Sequence, residues 1–339
     1  MSAPAGSAPG WVVVATEDDP ARAEWSGAAR EVNVAEPRFV PWSDVLGSEA
    51  EFQSGDVVFA ERLYPCVPDN PVGGQRARYA DLEAALHHLD AAVAKAGATS
   101  ATPAEPTLLA LDRAKRDAFL RQSGVPVLEL SDIAEAGNNI LRPRFAGSDD
   151  WSMETWRTRL FRHRTRTGVE VWRAPATGGG NRQELAQVAA LLADDGIHAV
   201  SDLHRVHLNT AFYDFRFAVL DGKVTHAAGL PRDEVVLREW YGGRRLEIDA
   251  FLKRFGMERW ERLVALAERA ATYFPGIRSL GVDLIMDNEK AEFVFDVDPF
   301  GASLPGIRGG LPSAGEPQDA DGGPLSVRAA VLRALSAGS

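Results

Sequence analysis

The chain has 339 residues, and 48 acidic against 37 basic side chains give it a formal charge of −11. A hydrophobic content of 45% and a charged content of 25% are those of a soluble globular protein, long enough for two or three structural units. The one cysteine, Cys66, excludes an intrachain disulfide framework and a cysteine-rich zinc site. No apolar run reaches the roughly 18 residues of a membrane span, and the acidic balance argues against a nucleic-acid partner.

The opening MSAPAGSAPG has neither a basic region nor an apolar core, so residues 1–10 read as a disordered start and the protein as cytoplasmic. Trp11 to Thr16 is a short β-branched run, a predicted buried strand, and Pro20 to Arg30 a helix. Arg38 to Trp42 and Asp56 to Ala60 read as two more strands, and Tyr79 to Ala96 as a helix. Strands alternating with helices predict a mostly parallel sheet over residues 11–105. Gly97 to Pro106 reads as a linker, which opens a second unit at 106–339.

That unit begins with a helix over Thr107 to Gly124, a strand over Val125 to Leu130 and another over Asn139 to Phe145. An irregular loop, Ala146 to Ser152, and an arginine-rich stretch follow, then a helix over Gln183 to Asp195 and extended chain from Ile197 to Leu208. Phe215 to Val219 and Lys223 to Ala227 flank Asp221-Gly222, a type I′ hairpin signal. An amphipathic helix is predicted over Glu258 to Phe274, then strands over Gly281 to Met286 and Ala291 to Val297 joined by a turn. Gly306 to Pro324 reads as a long loop and Leu325 to Leu335 as a closing helix.

The last strand pair carries the most chemistry. Asp296 and Asp298 share a face because side chains alternate along a strand, and a tight hairpin brings Asp283 to the same face. Three carboxylates at one spot call for a cation or for neighbouring arginines, and oxygen-only ligands suit magnesium shared with phosphate groups. The alternative is that Asp296 and Asp298 are solvent-facing residues of an edge strand. His204, His207 and His226 lie on extended chain without the spacing of a helical zinc site.

Asp283 with the run Asp296-Val297-Asp298-Pro299-Phe300-Gly301 resembles the C-terminal signature of the ATP-grasp superfamily. The resemblance extends to Asp214-Phe215-Arg216, the Asp221-Gly222 turn and Gly229 to Arg232, to Leu111-Asp112-Arg113 with Gly124 to Val127, and to Leu141-Arg142-Pro143 before a small-residue loop. It covers residues 107 to 310; Pro41-Trp42 and Asp298 to Gly306 are further similar to a stand-alone bacterial branch.

The resemblance implies an α/β protein of ATP-grasp fold with an N-terminal Rossmann-like pre-ATP-grasp domain over 11–105. The second unit divides into a lid subdomain at 131–206, a metal and substrate subdomain at 207–310, and a loop with C-terminal helix at 311–339. It implies ATP and Mg2+ as cofactors, with Asp283, Asp296 and Asp298 as metal ligands. Arg113, Arg142, Gly147 and Ser148 would meet the nucleotide phosphates, and Asp202, Leu203 and His204 would lie at the adenine hinge. Arg216 and Arg232 would stabilise the transferring phosphoryl group. Arg244 and Arg245, in the run Trp240 to Arg245, could clamp a substrate carboxylate.

The implied activity is an ATP-dependent carboxylate–amine ligase working through an acyl phosphate, on a small molecule or peptide in natural-product biosynthesis. A non-catalytic nucleotide- or ligand-binding module and a small-molecule kinase are the rival readings, and a homodimer is left open. The sequence departs from the family pattern in instructive ways. Both nucleotide lysines read as arginines, Arg113 and Arg142, and the usual Glu-x-Asn pair is Asp296-x-Asp298. The stretch Trp156 to Arg166, with five arginines, is either an anion-facing patch or a solvated face.

Overall fold

The computed structural model describes residues 10–63, 75–130, 139–145, 156–158, 161–164, 170–173, 197–201, 207–208, 211–232, 248–287, 291–302, 304, 307 and 324–336. The first unit runs β1 (Trp11–Ala15), α1 (Ala21–Glu31), β2 (Arg38–Pro41), α2 (Trp42–Leu46), β3 (Val57–Ala60), α3 (Gln75–Ala96) and β4 (Thr99–Ser100). The strands pair in parallel in the order β2-β1-β3-β4. Val12, Val13 and Val14 are all fully buried, as befits a central strand covered on both faces. Val12 and Val14 pack with Leu82, Leu86 and Leu89 of α3. On the other face Val13 and Ala15 meet Trp25, Ala28 and Ala29 of α1. The C-terminal helix α8 (Val327–Ser336) joins this second cluster through Ala329, Ala330 and Leu332, so the end of the chain packs on its first sheet.

Three local expectations change. The stretch 97–106 is not a plain linker: it holds β4 and the start of α4 (Ala104–Leu111), which runs across the expected boundary at 105. The single helix expected to Gly124 is two helices, α4 and α5 (Arg113–Gln122). They break at Asp112, whose extended backbone (φ −82°, ψ 92°) lets its carboxylate cap α5 by accepting from the Lys115 N–H at 3.2 Å. The strand expected over Val125 to Leu130 is broken into isolated bridges, among them a parallel one from Val127 to Val294.

Next come β5 (Asn139–Pro143), β6 (Trp156–Thr158), β7 (Phe161–Arg164), β8 (Glu170–Arg173) and β9 (Ile197–Ser201). They form two separate antiparallel sheets, β6-β5-β9 and β7-β8. The helix expected over Gln183 to Asp195 and the loop Ala146 to Ser152 lie outside the described residues.

The remaining, five-stranded sheet is antiparallel, ordered β10-β11-β13-β14 with β12 also paired to β11. Its strands are β10 (His207–Leu208), β11 (Ala211–Leu220), β12 (Lys223–Arg232), β13 (Ser279–Met286) and β14 (Glu292–Asp298). Between β12 and β13 lie α6 (Ile248–Phe255) and α7 (Met257–Ala271). The β11–β12 turn has φ of 47° at Asp221 and 79° at Gly222, the pair of positive values that a type I′ turn demands. Phe215, Phe217 and Val219 of β11, with Val282, Leu284, Val294 and Val297 of β13 and β14, pack on Trp260, Leu263 and Ala267 of α7. Strand alternation then sends Arg216, Asp283, Asp296 and Asp298 to the opposite face. Among the described residues no helix is long and apolar enough to cross a membrane.

Candidate active site

The face of the five-stranded sheet away from α7 is charged at its centre. Arg216 of β11 is in register with Asp283 of β13, and Asp283 with Asp296 of β14. Gly281 pairs with Asp298, one step along the same face. A bulge makes this possible: the register shifts between Asp283 and Leu284, leaving Phe295 unpaired so that Val294 stays in the core while Asp296 lies opposite Asp283. Phe295 turns into a small cluster with Leu128 and Ile285.

Each of the three carboxylates is held by arginine. Arg216 Nε and Nη2 donate to Asp283 Oδ1 and Oδ2 at 2.7 Å each, a two-pronged pair. Arg113 Nε and Nη2 donate to Asp296 Oδ2 at 3.1 and 2.6 Å. Arg116 Nη1 donates to Asp296 Oδ1, which also accepts the Val297 N–H at 3.0 Å. Arg62, just past the end of β3 in the first unit, donates through Nη2 to Asp298 Oδ2 at 2.7 Å. Asp298 Oδ1 accepts the Phe300 N–H at 3.1 Å, and the Arg62 guanidinium lies 5.2 Å from the Phe300 ring centre.

Local structure explains how these arginines arrive. The cap at Asp112 starts α5 so that Arg113 and Arg116, three residues apart, share one helix face. Asp112 itself is gripped by Arg144 at 3.0 and 3.1 Å, and the Arg113 N–H donates to the Arg144 carbonyl at 2.9 Å. The root of β5 is thereby tied to the start of α5. Arg116 is fully buried. It also donates to Asp117 Oδ1 at 2.8 Å and to the Phe295 carbonyl, freed by the bulge, at 3.2 Å.

The electrostatics follow. Burial alone would lower the pKa of Arg216, but Asp283, followed by Asp298 and Asp296, outweighs burial and raises it. Arg116 is likewise raised: burial opposes, and Asp117 and Asp296 prevail. Both guanidiniums are permanent cations here. An uncompensated carboxylate trio, repelling until metal arrives, is therefore not what the sheet carries. Neighbouring arginines provide the charge that the trio calls for: Arg216 at Asp283, Arg113 and Arg116 at Asp296, and Arg62 at Asp298.

Among the described residues no group of three or more His, Cys, Asp or Glu side chains is placed to hold a metal ion. The donor set fits magnesium in kind, three hard carboxylates on one face, with the condition that each gives up its arginine. Of the remaining candidates, Arg142 lies on β5 in register with His198, and Arg232 ends β12 in register with Phe212. Gly147, Ser148, Asp202, Leu203, His204, Arg244 and Arg245 lie outside the described residues. His226 is fully buried, its Nε2 2.8 Å from the Leu325 carbonyl, a packing role and not a metal-binding one. Sequence reasoning passed over Arg62, Arg116 and Asp117. Arg116 had a signal, its three-residue spacing from Arg113; Arg62 had only its place after a strand.

The parallel first sheet, the separate small sheets and the charged antiparallel sheet together define an α/β protein built around a strand hairpin with one charged face. Over nearly its whole length the fold matches that of the ATP-grasp ligase PsnB complexed with a minimal precursor, with 17% identity, 98% of this chain and 99% of that chain covered, and a TM-score of 0.56. D-cycloserine synthetase DcsG matches at 14% identity, 97% and 99% coverage and a TM-score of 0.58. The macrocyclase MdnC from Microcystis aeruginosa MRC, bound with precursor peptide MdnA, matches at 10% identity, 97% and 100% coverage and a TM-score of 0.52. No family model and no curated protein matches the sequence. The chain has the ATP-grasp fold.

Proposed function

We propose that the protein is an ATP-dependent ligase that joins a carboxylate to an amine through an acyl phosphate. The observation that carries this reading is the charged face of the five-stranded sheet. There Arg216, Asp283 and Asp296 are in register and Asp298 lies one step along the same face, with Arg113 and Arg62 brought to them from two other parts of the chain. Charges so arranged suit phosphoryl transfer, where catalysis is mostly positioning and electrostatic stabilisation.

In the proposed reaction a substrate carboxylate oxygen attacks the γ-phosphorus of ATP and ADP leaves. An amine nitrogen then attacks the acyl carbon, loses its proton, and inorganic phosphate leaves. Asp283, Asp296 and Asp298 would hold magnesium, whose contribution is to neutralise phosphate charge. Arg113 and Arg142 would bind the phosphates, with Gly147 and Ser148 covering them and Asp202, Leu203 and His204 beside the adenine. Arg216 and Arg232 would steady the transferring phosphoryl group, and Arg244 and Arg245 the substrate carboxylate. The likeness to a ligase complexed with a precursor and a macrocyclase bound with a precursor peptide supports a peptide or small-molecule substrate from natural-product biosynthesis.

A second reading, a non-catalytic ligand-binding module, is favoured by one observation: every candidate metal ligand is engaged by an arginine. Hydroxylamine separates the readings. Incubated with ATP, magnesium and a panel of amino acids and acidic peptides, a ligase yields ADP and a hydroxamate from the trapped acyl phosphate. ADP with a hydroxylamine-stable phosphoryl product would make it a kinase. Nucleotide binding with no ADP formed across the panel would leave the module.

A further inference from the structure

Four arginines and four aspartates cancel at the site: Arg62, Arg113, Arg116 and Arg216 against Asp117, Asp283, Asp296 and Asp298. The carboxylates that would face a cation and the guanidiniums that would face an anion are each other's partners. A divalent cation arriving alone would strand guanidiniums beside it. A polyanion arriving alone would draw the guanidiniums and leave bare carboxylates facing its own charge. Stripping one partner from a largely buried pair is costly in either direction, and these pairs are enclosed: Asp283 is 5% exposed at its side chain, Asp298 11% and Arg62 10%.

We propose that Arg62, Arg113 and Arg216 are exchangeable counter-ions, so that a divalent cation and an anionic ligand enter this site only together. On filling, the three arginines pass from carboxylate oxygens to the oxygens of phosphate or of a substrate carboxylate. The carboxylates pass to the cation, and no covalent bond changes. Arg116 stays in place, because Asp117 and the Phe295 carbonyl hold it independently of Asp296. Arg62 is the member that no family motif names. It belongs to the first unit, so its exchange at Asp298 carries the state of the site across to that unit, and its guanidinium, 5.2 Å over the Phe300 ring centre, keeps that aromatic face while it changes partner. The inference rests on the nucleotide reading of the site.

The test is calorimetry on the full chain with magnesium chloride alone, AMPPNP alone in chelator, and both together. Each alone should bind weakly, and magnesium should tighten AMPPNP by on the order of a hundredfold, with the same factor seen in reverse. Because magnesium also complexes nucleotide in solution, Asp298→Asn provides the decisive arm. It removes the carboxylate that Arg62 must leave, so metal-free AMPPNP should bind at least about tenfold tighter than to wild type, whereas loss of a simple metal ligand would leave metal-free binding unchanged. Circular dichroism confirms that the variant is folded. Equal AMPPNP affinity with and without magnesium, or no gain in Asp298→Asn, overturns the exchange and leaves the nucleotide reading standing. No AMPPNP binding under any condition overturns both.

Discussion

Replacing Arg116 by methionine tests whether the charged face is held by ion pairs. The guanidinium is fully buried and serves Asp117, itself 1% exposed, together with Asp296 and the Phe295 carbonyl. Methionine fills the space of the stem but takes the Arg116 charge away from Asp117, which stays in the interior. Removing one partner of a buried pair costs about 3–5 kcal/mol. Asp296 retains Arg113 at 2.6 Å, so its loss adds little, and the expected cost is about 4 kcal/mol. Urea unfolding followed in parallel by far-ultraviolet circular dichroism and tryptophan fluorescence measures it, and coincident transitions confirm that one cooperative step is being compared. The double variant Arg116→Met with Asp117→Leu removes both charges, and replacement of a buried pair by apolar side chains is often neutral. It should recover more than half of the loss. A single-variant cost below about 1 kcal/mol, typical of an exposed pair, would refute the reasoning, as would a double variant no better than the single one.

Two further outcomes follow from other parts of the fold. Glu61 accepts from Trp25 Nε1 at 2.7 Å and pairs with Arg328 at 2.6 Å, yet burial, only partly offset by Arg328, raises its carboxyl above the ordinary 4.5. Its contribution to stability is therefore full below the unfolded value and is lost as pH rises through the folded one; urea midpoints of wild type and Glu61→Gln across that range should differ by this slope, and parallel curves would contradict it. Gly301→Ala places a Cβ 3.0 Å from Ser279 Oγ at a backbone φ of 88°, and should lower stability by about 1–2 kcal/mol, with Gly301→Asn milder; a wild-type melting temperature in the alanine variant would show that the turn does not need glycine.

Much of the fold was legible because periodicity is a local property. The β-branched run at Trp11 announced a buried parallel strand, and Asp221-Gly222 announced its hairpin turn. The alternation of Asp296 and Asp298 placed both on one face, and their pairing with Asp283 followed from the short turn. The errors were also local. The helix expected through Asp112 broke there because an aspartate that caps a helix competes with one that continues it, and periodicity cannot see which wins. The bulge at Phe295 left no mark in the sequence, since an extra residue in a strand looks like any other apolar residue. The partners of the carboxylates were out of reach for a different reason. Arg62 and Asp298 lie 236 positions apart, and Arg113 and Asp296 183 apart, so only the tertiary fold brings them together.

The arginine-for-lysine changes take on a different physical meaning once those partners are known. Read along the chain, Arg113 in place of a phosphate-binding lysine suggests a nucleotide site losing its function. In the fold, Arg113 Nε and Nη2 both donate to Asp296 Oδ2, a planar grip that a lysine ammonium, a single compact charge, does not reproduce. Against the Glu-x-Asn pair of the family pattern, Asp296 keeps a charge and Asp298 adds one. A sheet face carrying three carboxylates needs cations that remain charged when buried, and guanidinium does so where ammonium readily gives up its proton. Exchanging lysine for arginine adds no charge, so the one extra acid is met from elsewhere: Asp298 is paired by Arg62 of the first unit. What the guanidinium at Arg113 brings is a cation that stays charged beside Asp296 when buried.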